Sequence, residues 1–64
     1  MLIKAKIGTH SSGEVKVVRK RKAPVVGERI MVIYEGYNSN RPIAMTVEEV
    51  RDMGGWNLFF LSMI

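Results

Sequence analysis

Side chains that change character at every second residue limit most strongly what this chain can become. In Leu2-Ile3-Lys4-Ala5-Lys6-Ile7 one face reads Ile3, Ala5 and Ile7, and the other reads Leu2, Lys4 and Lys6. Successive side chains of a strand point to opposite faces, so this segment reads as a strand with one side buried. The run Gly8 to Gly13 collects turn formers and no apolar side chain, which predicts a loop. Alternation resumes from Glu14 to Lys22, with Val15 and Val17 on the inner face and Lys16, Val18 and Lys20 opposite. Two such runs across a short glycine-bracketed loop predict an antiparallel hairpin.

Ala23-Pro24-Val25-Val26-Gly27-Glu28 breaks the pattern, because Pro24 has no N–H for a ladder and Gly27 tolerates a positive φ. A third strand follows over Arg29 to Tyr34. It is apolar on both faces, as a central strand or one covered by a second subunit would be. Residues 35–42 read as another loop.

The last third admits two readings. Thr46-Val47-Glu48-Glu49 satisfies a helix capping box, with Val47, Val50 and Met53 on one helical face. Against it, Ile43, Met45 and Val47 alternate, a bulge at Glu48-Glu49 would bring Val50 inward, and Gly54-Gly55 suits a hairpin turn. The strand reading, Ile43 to Asp52 and then Trp56 to Met63, is preferred because a helix of about two turns is marginal without strong packing. In the final strand Leu58 and Phe60 share a face, Phe59, Leu61 and Met63 lie on the other, and Trp56 and Phe60 are expected in the core. Five short strands with tight turns predict an all-β domain, a small five-stranded antiparallel SH3-like or half-open barrel. The alternative is a β-rich α+β fold with a short helix at 46–53.

Sixty-four residues make a single domain with a thin core. A chain of this size buries only about 60% of its unfolded surface. No cysteine is present to staple it, and His10 alone cannot build a zinc site, so no metal and no cofactor is expected. Association remains as a source of stability. A homodimer or higher oligomer is expected through Met31, Ile33, Phe59, Leu61 and Met63, with a closed barrel as the competing way to cover both faces. The first eight residues alternate like a strand rather than a signal peptide, and no apolar run approaches the roughly 20 residues of a membrane span. A soluble, cytoplasmic protein is expected.

Charge is distributed unevenly. Residues 1–34 carry eight Lys/Arg against Glu14 and Glu28, whereas residues 35–64 carry Arg41 and Arg51 against four acids. Lys16, Arg19, Lys20, Arg21 and Lys22, with Lys4 and Lys6 on the adjacent strand, form the candidate nucleic-acid-binding set. Arg41 and Tyr37 would add contacts from the 35–42 loop, and Tyr34, Tyr37 and Trp56 offer faces for stacking. Lysines on a strand also serve simply to block edge-to-edge aggregation, so the pattern is not specific. Catalytic constellations are missing: there is no thiol, His10 sits in a serine-rich loop without a buried acid nearby in sequence, and Glu48 and Glu49 would face opposite sides of a regular strand. A non-enzymatic binding protein is expected, with nucleic acid (DNA or RNA) as the leading partner. The alternatives are a protein-interaction module that docks on an acidic protein surface, of the inhibitor or adaptor kind that viruses encode, and a sequesterer of a small anionic nucleotide.

Overall fold

Hydrogen-bonded pairing organises the chain from Leu2 to Ser62. The computed structural model describes residues 1–9, 12–34 and 41–63. Its strands are β1 (Leu2–Ile7), β2 (Gly13–Val17), β3 (Arg29–Ile33), β4 (Ile43–Asp52) and β5 (Asn57–Ser62), and no helix occurs among the described residues. Each strand runs antiparallel to the next, and β5 returns to pair with β1 and close the sheet into a barrel. An odd number of alternating strands ends in the direction in which it began, so the closing pair is parallel. Its register sets Lys4 beside Leu58, Ala5 beside Phe59, Lys6 beside Phe60 and Ile7 beside Leu61.

Alternation then decides what lies inside. Ile3, Ala5 and Ile7 from β1, Val15 and Val17 from β2, Ile30 and Val32 from β3, Met45 and Val47 from β4, and Phe59 and Leu61 from β5 form one buried cluster. Tyr34, Ile43 and Val50 pack partly against it. No polar or charged side chain is buried among the described residues. The interior is therefore filled by hydrocarbon, one thioether and one ring.

Residues 46–53 are strand rather than helix, and β4 carries its irregularity between Val47 and Glu49. The extra residue brings Val50 opposite Phe59 on the inward side and leaves Glu49 and Arg51 facing out. Gly54 and Gly55 then take φ values of 85° and 94°, the positive values that a type I′ hairpin turn needs at both central residues. Met53 N–H donates to the Trp56 carbonyl at 2.9 Å to close that turn.

Two expectations fail, each for a physical reason. The basic run does not continue the hairpin: β2 ends at Val17, Arg19 adopts φ 59°, and residues 20–22 leave the sheet toward the buried Pro24. Only Lys16 and Val17 of β2 are in register with β3, at Ile33 and Val32, so little ladder is available to hold the chain extended beyond them. The second failure concerns β5, whose two faces are the reverse of those expected. Phe59 and Leu61, expected at a subunit interface, lie in the barrel's own core, while Trp56 is exposed and Phe60 half-buried. Pairing with Ala5 and Ile7 sets this, since a one-residue change of phase sends every side chain to the other face. Of the remaining proposed interface residues, Met31 and Met63 are exposed and Ile33 is half-buried.

Met45 has no exposed surface and Met31 on the adjacent strand is 44% exposed, so the two methionines form an internal control. Met45→Ala should cost about 2–5 kcal/mol in urea unfolding, the range for truncating a buried side chain. Met31→Ala should stay within about 0.5 kcal/mol of the parent, as surface substitutions do. Equal losses would contradict the barrel interior described above.

Candidate nucleic-acid interface

A barrel packed with apolar side chains has its polar chemistry on the outer wall. Lys4, Lys6 and Leu2 take the outward positions of β1 because Ile3, Ala5 and Ile7 take the inward ones. On β2 the outward positions are Glu14 and Lys16, and the register pairs Leu2 with Lys16 and Lys4 with Glu14. Lys4 and Lys16 are thus diagonal neighbours on one surface. Lys16 lies beside Ile33 of β3 on its other side. Leu58 and Phe60 extend the same wall onto β5, and Glu49 and Arg51 extend it onto β4.

Two cations on this wall rest on aromatic rings. Lys4 Nζ lies 4.8 Å from the centroid of Trp56. Arg51 Cζ lies 4.6 Å from that of Phe60, and its guanidinium also bonds Glu49 at 3.0 Å. Such contacts are worth about 0.5–1 kcal/mol each at exposed sites. The half-exposed Arg51–Glu49 pair contributes less than its geometry suggests, because water screens it. Leu58 is buried although it lies outside the core cluster, and in register it stands between Lys4 and Arg51.

The second group of cations, Arg19 to Lys22, is held apart from the sheet. Lys20 Nζ bonds Glu28 Oε2 at 2.6 Å, and Val25 N–H donates to Glu28 Oε1 at 3.0 Å. One carboxylate thereby ties the basic run to the turn that precedes β3. It sits below the ordinary glutamate pKa of 4.5 because Lys20 hydrogen-bonds its ionised form, with Val25 N–H adding to the effect. Arg29 is engaged separately, donating to Thr46 Oγ1 at 3.1 Å. The side chains of Lys6, Lys16, Arg19, Arg21 and Lys22 make no hydrogen bond or ion pair with any described residue.

The proposed site therefore divides. Lys4, Lys6 and Lys16 share the β1–β2 wall, and Arg19, Lys20, Arg21 and Lys22 follow it in the chain as a separate basic segment, while Arg41 is exposed just ahead of β4. Tyr37 and His10 lie outside the described residues. Tyr34 is half-buried against the core and presents less ring than its sequence position suggests. The acidic partners Glu28 and Glu14 are parts of the site that residue order alone does not single out. The signal for Glu28 is its place in the turn that returns the basic run to the sheet. Among the described residues no three of His, Cys, Asp and Glu gather to hold a metal ion, and no helix is long and apolar enough to cross a membrane. Comparison with protein-family models, with curated proteins and with solved structures finds no match to this chain.

The Lys20–Glu28–Val25 link has a defined pH dependence. A carboxylate with a lowered folded-state pKa contributes stability above its unfolded value, and that contribution is lost as pH falls through the folded value. An NMR titration of the Glu28 carboxyl should give a midpoint below 4.5, and Lys20→Met should move it back toward that value. A midpoint unaffected by removing Lys20 would contradict the link.

Proposed function

We propose that this protein is a non-enzymatic binding module for nucleic acid, and that the outer wall of the β1–β2 hairpin is its contact surface. The observation that carries the proposal is the outward alternation of Lys4, Lys6 and Lys16 on paired strands, with Arg19, Arg21 and Lys22 following in a segment where, among the described residues, Lys20 alone has an ionic partner. Cations that lack an internal partner keep their full capacity for phosphate. Each phosphate they neutralise releases condensed counterions, and that release drives binding. The excess of positive charge over the first half of the chain supports a polyanion as that partner.

A second reading draws on different residues. Val25 and Val26 are 64% and 60% exposed in the turn before β3, and Met31 is 44% exposed on β3. Apolar side chains left in water on a small domain favour a protein partner or a second copy of the chain. Pull-down from a lysate with and without nuclease separates the readings, since capture through nucleic acid is abolished by digestion and a direct protein contact survives.

Substitution of the unpartnered cations gives the sharper test. Lys6→Gln, Lys16→Gln and Lys22→Gln together should weaken binding of DNA or RNA in fluorescence anisotropy while leaving the thermal midpoint near that of the parent. The slope of log affinity against log salt should fall by about 0.7–0.9 for each phosphate that is no longer neutralised. An unchanged affinity and slope would refute the proposal.

A further inference from the structure

The outer wall contains an element that charge does not account for. Trp56 is the chain's only tryptophan, and it is 43% exposed directly after the Gly54-Gly55 turn. A small barrel that has buried eleven other described side chains in one cluster leaves its largest aromatic 43% exposed. The ring stands between two hollows. One, of about 330 Å³, has Lys4, Glu14 and Leu58 in its lining and is bordered by Ser12 and Gly13. The other, of about 270 Å³, is lined by Met1, Leu2, Ala23 and Asn57 among others. Trp56 and Lys4 contribute to both.

We propose that Trp56 is a stacking platform for an unpaired base of single-stranded nucleic acid, with Lys4 holding the adjoining phosphate and Glu14 accepting a hydrogen bond from the amino group of the base. This rests on the nucleic-acid reading above and specifies its ligand. Every base offers a π face, so an exposed aromatic beside a basic track suits a single strand, whereas the bases of a duplex already stack on one another. Lys4 Nζ covers one face of the ring at 4.8 Å from its centroid, so the base stacks on the opposite face and the ammonium stays beside it to meet its phosphate. Leu58 supplies an apolar wall to the hollow. Glu14 gives the hollow its selectivity. An ionised carboxylate repels phosphate but accepts from an exocyclic amino group such as cytosine N4, which thymine and uracil lack.

The sole tryptophan reports directly on the event. Emission from the intact protein is followed during titration with oligo-dC, oligo-dT and a mixed-sequence duplex, each of about ten nucleotides. Binding is measured in parallel by anisotropy of labelled oligonucleotide. The proposal expects single strands to quench the emission, oligo-dC to bind more tightly than oligo-dT, and Glu14→Gln to narrow that difference. Trp56→Ala should weaken single-strand binding roughly five- to hundredfold, and Trp56→Phe, which keeps a stacking face, should recover part of the loss. Thermal melts confirm that both variants fold. Oligonucleotide binding without a change in emission, with Trp56→Ala equal to the parent, overturns the stacking platform while the basic-wall reading stands. Equal binding of duplex and single strand also overturns it, and equal binding of oligo-dC and oligo-dT removes the role given to Glu14. Failure of every oligonucleotide to bind defeats both proposals together.

Discussion

The parallel seam between β1 and β5 is the constraint on which the rest of the molecule depends. Without it the chain would be a five-stranded meander with two free edges, and Ile3, Ala5 and Ile7 would lack the ring and side chain that Phe59 and Leu61 bring across. Closure removes the edges that would otherwise template aggregation, so the lysines of β1 are not needed to blunt one. Their outward placement is left free for another use. The seam also brings the first strand next to the residue that follows the last hairpin turn, and so puts Lys4 over Trp56.

A thin core makes closure demanding. The interior is shared by residues from all five strands, and the longest of them, β4, needs a register shift after Val47 to keep Val50 facing inward. The Gly-Gly turn then sends β5 back along β4 while Asp52 Oδ1 accepts from Gly54 N–H at 2.9 Å. Opposite this well-paired side, β2 and β3 share only a short register, and there the chain departs through Arg19 with a positive φ. Glu28 restores order to that departure by binding both Lys20 and the Val25 amide. Rigidity and charge are thereby separated: the continuous ladders hold the barrel, and the short seam releases the basic segment.

Much of the fold was legible in residue order because period-two alternation is a local property. Ile3, Ala5 and Ile7, then Val15 and Val17, announced their inward faces without knowledge of any partner strand. The β4 bulge was legible too, since Val47 and Val50 can face the same side of a strand only if one residue is extra. β5 was not, because Leu58 to Leu61 are all apolar and local pattern cannot tell which pair faces in. Register with β1 decides that, and it is a relation between the two ends of the chain. For the site, outward lysines followed from the inward isoleucines of β1. The exposed Trp56 did not, because a large aromatic beside an apolar run reads as core until pairing turns it outward. The end of β2 at Val17 was hidden for a similar reason, as it depends on how far β3 extends alongside.

The central claim is spatial: the partner meets the outer wall of β1, β2 and the start of β5 and leaves the interior undisturbed. Amide chemical-shift mapping of the labelled protein against a single-stranded oligonucleotide tests it most directly. The account predicts the largest perturbations at Lys4, Glu14, Lys16 and Trp56, with the inward Val32 and Met45 nearly unmoved. Perturbations centred instead on Val25, Val26 and Met31, or none anywhere, would contradict it.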